Sequence, residues 1–247
     1  MVRDEDAEGA RRVAIPMDTN SPVAYALGSP PLRTLLCDSP MSTHVYLLRH
    51  AETAAPKVFH GFESDIDLSE RGLRQAEAIA EVLARHQPDV VISSGMVRAR
   101  RTAAEICRAC GAPHEVEPDL HERKVGILSG QPFADNGVWA ETSRRWAAGE
   151  TSYAHQGAES LDELSRRLVP AWRRVTERHH GKRLVVVAHG IVCKVLISNL
   201  VPGRTWGSLG SIRNVAIHEL KRTDDAWSLH RFGWLPDDFI ERGLADG

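Results

Sequence analysis

Two apolar runs of this chain end in the same way. LLRHAET at 47–53 and VVAHG at 186–190 each place a histidine, His50 and His189, just beyond residues that suit a buried strand. An imidazole at such a point is equipped to act as nucleophile, proton carrier or anion contact near neutral pH. Two such strands lying side by side and parallel would bring both rings to one crevice, because open α/β sheets bind ligands beyond the carboxyl ends of their strands. Between them, SSGMVRARRTA at 93–103 reads as a turn into a helix with free backbone amides, and Arg98 projects back over the same edge. Helix starts and guanidinium forks both favour a bound phosphate.

The elements that must position these groups are legible from periodicity. Val45–Leu48 is a short apolar run ending in Arg49 and His50, which predicts a buried strand. Ser69 is a predicted N-cap, followed by an apolar stripe through Leu73, Ala76, Ile79, Ala80 and Leu83. A strand over Val90–Ile92 and a helix over about 97–110 come next. Two strand-to-helix units in succession predict a parallel sheet covered on both faces, hence a three-layer α/β/α domain. A long helix over about 160–179, a central strand over 184–188, a helix over about 191–200 and two closing strands at 212–220 and 226–232 complete the plan. The glycine-rich stretch 118–157 is the least periodic part and reads as an inserted lid with a short helix near 138–147. Residues 1–42, broken by five prolines, read as an irregular arm; 43–236 form the catalytic domain, and 237–247 a tail.

Composition narrows the class. The 247 residues are 42% hydrophobic and 26% charged, enough to bury a core without metal or disulfide staples. With 33 acidic against 31 basic residues, the net charge of -2 supplies no global field for nucleic acid or anionic membrane, and any anion site must be local. The basic doublets lack regular aromatic interleaving. Four cysteines are too few and too uneven for a secreted scaffold; Cys107 and Cys110 form a lone C-x-x-C within a helical pattern and read as packed thiols. An acidic start, MVRDEDAEGA, and the lack of a long apolar run point to a cytoplasmic enzyme without a leader or membrane span. His179 and His180 read as solvent-facing residues at a helix end. Trp139 and Trp146, seven positions apart, suit either core packing or a roof over a pocket.

With those pieces in order, the chain resembles the histidine phosphatase superfamily, also called the phosphoglycerate mutase-like family. RHAET matches the family's nucleophile motif, DIDLSERGLRQA its D-x-P-L-T-x-x-G-x-x-Q-A, and SSGMVRARRTA its S-x-x-x-R-A-x-x-T-A. LHERKVGILSG at 120–130 matches L-x-E-x-x-x-G-x-x-x-G, GAESLDELSRRL the G-E-S segment, and AHG at 188–190 supplies the second histidine. The resemblance covers roughly residues 44–200 and implies that His50 is the nucleophile that becomes phosphorylated. It further implies that Arg49, Arg98 and His189 hold the phosphoryl oxygens, that Glu122 is the proton donor, and that Thr53 and Ser94 lie near the anion. No cofactor or metal is implied. Glu122 must be protonated in the first step, so burial is expected to raise its pKa above about 4.3.

Departures from the pattern bear on activity. Ala51 replaces the usual glycine, Asp67 the usual proline, and Gly95 displaces a hydrophobe. Mutases of the family usually follow the nucleophile motif with tryptophan and asparagine, where this chain has Ala54, Ala55 and Pro56. They also carry a long basic insertion after the acid; here no lysine falls between Lys124 and Lys182, and Arg144–Arg145 is the one pair of arginines between Glu122 and Glu159. A mutase must shield its phosphorylated intermediate from water and rebind a bisphosphate, which calls for that charge. The expectation is therefore a metal-independent phosphomonoesterase acting on a small phosphorylated metabolite. The alternatives are a bisphosphate-primed mutase and a catalytically idle module that binds phospholigands. Lys57 and His60 are candidates for a second anionic group, or plain surface loop. The late helices suit a dimer face and a completed core equally.

Overall fold

Alternation along the first strand sets the layering. In β1 (Thr43–Arg49), Val45 and Leu47 join one apolar cluster while Tyr46 and Leu48 join another on the opposite face. A strand buried on both sides needs helices on both sides. The computed structural model describes residues 42–245, and the arm expected at 1–42 falls, but for Ser42, outside the described residues. Its sheet is built from β1, β2 (Val90–Ser93), β3 (His114–Val116), β4 (Arg183–Ala188), β5 (Ile217–Thr223) and β6 (Ala226–Trp234), in the order β3-β2-β4-β1-β5-β6. The first four are parallel and the last two antiparallel.

One face carries α1 (Glu70–Ala84) and α2 (Val97–Cys110), whose buried alanines, Ile79, Leu83 and Ile106 meet Leu48, Val185 and Val187. The other carries α4 (Leu161–Arg178) and α5 (Gly190–Leu200), which bury Leu164, Leu168, Trp172, Val192 and Leu196 against Val45, Leu184 and Val186. This is the three-layer α/β/α arrangement expected from the strand and helix periods. The inserted segment contains α3 (Gly137–Ala147). Among the described residues no helix is long and apolar enough to cross a membrane.

Several elements depart from the sequence expectation. The penultimate strand starts at Ile217 rather than 212, and residues 212–216 form a loop that turns back over β1. The short edge strand β3 has too few residues for a period to show. His179, expected to face solvent, is buried at the end of α4 with Nε2 3.1 Å from Glu115. Residues 238–241 form a helical turn, α6, that plugs Phe239 and Leu244 into the α1–α2 face.

The approach of α1 to the loop after β1 is close enough to demand glycine. A Cβ on Gly72 would stand 2.0 Å from the Glu52 carbonyl oxygen, while Ser69 caps the helix through the Gly72 amide. Replacing Gly72 by alanine forces helix and loop apart, an overpacking cost of about 1–3 kcal/mol. Urea unfolding of Gly72→Ala should show a lower midpoint with an unchanged slope; an unaltered midpoint would contradict this packing.

Candidate active site

The register of two neighbouring strands brings the histidines together. Arg49 pairs with Ala188 across β1 and β4, so His50 and His189 leave the sheet side by side, with ring centroids 5.2 Å apart. His50 continues the ladder through its amide, which donates to the Ala188 carbonyl, and His189 is the N-cap residue of α5. Both imidazoles are buried beyond the carboxyl ends of the strands; His50 lines the cavity there, and His189 and Arg98 are not among its lining residues.

The backbone that carries His50 is tied on every side. Its carbonyl accepts from Asn214 Nδ2 at 2.8 Å, and the Arg49 carbonyl accepts from the Val215 amide. The Ala51 amide donates to Thr102 Oγ1, and the Glu52 amide to Gln75 Oε1. Val215 is fully buried with φ of 50°, a conformation costly for a β-branched side chain, so the 212–216 loop accepts strain to make these contacts. Nothing in the sequence period marks Asn214. A polar residue just ahead of an apolar strand was the one available signal.

His50 Nδ1 lies 2.7 Å from the Ala51 carbonyl oxygen. A carbonyl only accepts, so the proton sits on Nδ1 and Nε2 keeps its lone pair. Burial, followed by the positive charges of Arg98 and Arg49, pushes the His50 pKa well below its usual value. His189 is depressed likewise, by burial first and then by Arg98. Its Nε2 is 2.7 Å from Ser94 Oγ, while its Nδ1 is buried with no protein partner. Ser94 thus orients His189 from behind, and Thr53 lines the cavity itself.

Arg49 also lines the cavity and donates through Nη1 to the Ile212 carbonyl. Arg98, 1% exposed, spends its fork differently from the expectation: Nη1 donates to the Ser64 carbonyl and Nη2 to those of His60 and Gly61. Nε is left buried and without a partner. The start of α2 is not open either, because Asp65 Oδ1 accepts from the Val97 amide. The helix terminus that borders the cavity is that of α5, through Gly190 and Ile191. A buried donor without a partner, Arg98 Nε, and a buried imidazole nitrogen without one, His189 Nδ1, accompany the His50 lone pair; with Ser94 Oγ donating to His189 Nε2, Nδ1 carries the proton and the group is complementary to a tetrahedral anion.

Glu122 completes this group on the cavity wall. Its carboxyl accepts from the Arg123 amide at 2.9 Å, yet burial outweighs that bond and the neighbouring arginines and raises its pKa, as anticipated. Next to it, Arg123 is fully buried with its guanidinium 4.9 Å from the Trp139 ring and 5.3 Å from Trp146. Burial lowers the Arg123 pKa to about 10, so it stays charged at neutral pH. The two tryptophans divide the roles left open by their spacing: Trp146 is core and Trp139 lines the cavity. The cavity, of about 530 Å³, is walled further by Phe59, Phe133, Trp206, Ile191 and Lys194. Lys194 is also new; its position four residues after Gly190 on one helix face was the signal.

Neither Lys57 nor His60 offers the anion contact considered for it. Lys57 is exposed and stands outside the cavity lining, and both His60 nitrogens are engaged, by Ser64 Oγ and the Ala55 carbonyl. Among the described residues no three His, Cys, Asp or Glu side chains converge as a metal site requires.

The fold and this crevice define a class. The chain belongs to the histidine phosphatase superfamily: the model of its branch 1 matches residues 45–235. It is an enzyme of that class, with phosphate esters as substrates. Among its relatives, a metal-independent phosphoserine phosphatase of Arabidopsis thaliana is 34% identical over 201 residues, spanning 75% of this chain and 81% of that protein. A probable phosphoglycerate mutase of Yersinia pestis is 31% identical over 196 residues, spanning 77% and 89%. A mycobacterial glucosyl-3-phosphoglycerate phosphatase superposes with a TM-score of 0.69 at 26% identity, covering 78% of this chain and all of that one.

The depressed histidine pKa values couple to stability. Both rings are neutral when folded and protonate at about pH 6.5 when unfolded, so their contribution is fully present above that pH and is lost as pH falls through it toward the folded-state values. Nitrogen-15 NMR of labelled histidine should show both rings neutral at pH 6 in the ligand-free protein. A pair of imidazolium spectra at that pH would refute the burial argument.

Proposed function

We propose that the protein is a metal-independent phosphomonoesterase that works through a phosphohistidine at His50 Nε2. The observation that carries this reading is the His50 tautomer, fixed by the Ala51 carbonyl, together with two buried nitrogens left without partners, Arg98 Nε and His189 Nδ1. In the first step the Nε2 lone pair forms the P–N bond as the P–O bond to the alcohol breaks. Arg49, Arg98 through Nε, and His189 through Nδ1 follow the charge on the equatorial oxygens. Glu122, kept protonated by burial, gives its proton to the departing alkoxide. In the second step Glu122, now a carboxylate, takes a proton from water as its oxygen attacks phosphorus; the P–N bond breaks, and inorganic phosphate leaves.

The choice of phosphatase over bisphosphate-primed mutase rests on the paired arginines of the inserted segment. Arg144 and Arg145, the one pair of adjacent arginines in the inserted segment, are turned to Glu141 and Glu150 on the outside of α3 and do not line the cavity. The relatives named as phosphoglycerate mutases favour the other reading, so the assay must include a bisphosphoglycerate primer. Isomerisation of a phosphoglycerate that needs the primer, with little phosphate release, would replace the phosphatase reading. Phosphate binding with neither turnover nor phosphoenzyme would mark an idle binding module.

The protein should release phosphate from phenyl phosphate in the presence of a chelator, and His50→Ala should abolish it. Rapid acid quench with radiolabelled ester should trap label on the wild type in an alkali-stable, acid-labile form that His50→Ala lacks. Unchanged turnover in His50→Ala would overturn the mechanism. Glu122→Gln should lower kcat by about 10²–10⁴-fold and remove the alkaline limb of the pH profile, since activity falls as pH rises through the raised Glu122 pKa.

A further inference from the structure

Beyond the phosphoryl crevice, the cavity has room for a sizeable alcohol. Its volume of about 530 Å³ corresponds to roughly 18 waters at about 30 Å³ each, far more than one phosphoryl group. Its walls there are apolar and largely aromatic, with Phe59, Phe133, Trp139, Trp206 and Ile191 among them. In this setting stands Lys194. Its ammonium lies 4.0 Å from the centre of the Trp206 ring, and the side chain is half-buried on the cavity wall. Among the described residues it makes no ion pair and no hydrogen bond with a carboxylate, although nearly every half-buried arginine of this protein makes one or donates to carbonyls.

A half-buried ammonium without a counter-ion is held at a cost that the Trp206 face offsets only in part. The wall around it does not relieve that cost. Arg123 adds a buried positive charge, with Nη2 unpartnered, while Arg49, half-buried, belongs to the phosphoryl crevice. Glu122 is the one carboxylate among the described residues that line the cavity, and it is committed beside the phosphoryl crevice. The leaving-group pocket is thus apolar, flat-walled and electrically positive, with nothing to pair a cation. An anion on the alcohol would find its partner there; an ammonium would meet two like charges, Lys194 and Arg123.

We infer that Lys194, seated on Trp206, is the specificity-determining residue of the leaving-group pocket and selects phosphomonoesters whose alcohol carries a carboxylate on a flat or apolar body, against those carrying an ammonium. The inference rests on the phosphatase reading above and sharpens it. It separates this pocket from one suited to a phosphorylated amino acid, whose α-ammonium would stand unpaired against these cations. Lys194 contacts the departing group and takes no part in proton or phosphoryl transfer.

The test compares three aryl esters with the same flat body: phenyl phosphate, 4-carboxyphenyl phosphate and 4-(aminomethyl)phenyl phosphate. Intrinsic reactivity cancels when the ratio of wild type to Lys194→Met is taken for each ester. That ratio in kcat/KM should be about tenfold larger for the carboxylate ester than for phenyl phosphate, and smaller than the phenyl value for the ammonium ester. Lys194→Arg should retain most of the carboxylate preference, which a merely structural role for the lysine would not require. Equal ratios for all three esters overturn the inference even though phenyl phosphate turnover upholds the phosphatase reading. If no ester is hydrolysed, calorimetric titration of the same three esters into His50→Ala, with and without Lys194→Met, reads the same selectivity from binding. Indifference to the carboxylate there would overturn it too.

Discussion

Burying the Arg98 guanidinium is the constraint on which the site depends. A charge 1% exposed must have its donors answered from within the protein, and here three backbone carbonyls, of His60, Gly61 and Ser64, answer the fork tips. Those carbonyls belong to the loop that forms one wall of the cavity, so the arginine on α2 fixes the wall as well as the charge. Burial first, and then the same charge with Arg49, keeps His50 and His189 neutral. One buried cation thus sets the loop and the sign of the crevice, and adds to the burial that keeps both imidazoles neutral. A phosphoryl dianion is the counter-charge this arrangement lacks.

The frame of the site was readable because it is carried by periodic elements. The apolar runs before His50 and His189 are period-free strands buried on both faces, but β4 lies between β1 and β2, so the tendency of consecutive strands to pair does not give their adjacency and the matched motifs alone pointed to it. Glu122 lies on an irregular loop and was found through its motif alone, since no period points to it. What escaped the sequence is what irregular backbone does. Asn214, which clamps the His50 carbonyl, sits in a loop read as strand, and Arg123 reads as one charge among many until the flanking tryptophans are folded over it.

The errors share a physical source. Free amides at the start of α2 and an open fork on Arg98 were inferred as though each group were alone, yet buried donors find the nearest acceptors. Asp65 takes the Val97 amide and three carbonyls take the fork. His60 was weighed as an anion contact on the same assumption, and its nitrogens are already engaged. Sequence position foretold which residues gather at the crevice. It did not foretell which of their atoms remain unspent, and those atoms decide the chemistry.

The segment after β6 extends this logic to the far end of the described chain. Gln75 accepts the Glu52 amide with one end of its carboxamide and donates to the Leu244 carbonyl with the other. Arg71 spans the same gap, from the Glu52 carboxylate to the carbonyls of Gly243 and Ala245. Phe239 anchors that segment in the core. The support of the nucleophile loop is thus a keystone drawn from the segment after β6, so a nascent chain would hold all its reactive side chains before it acquires the brace that makes them rigid.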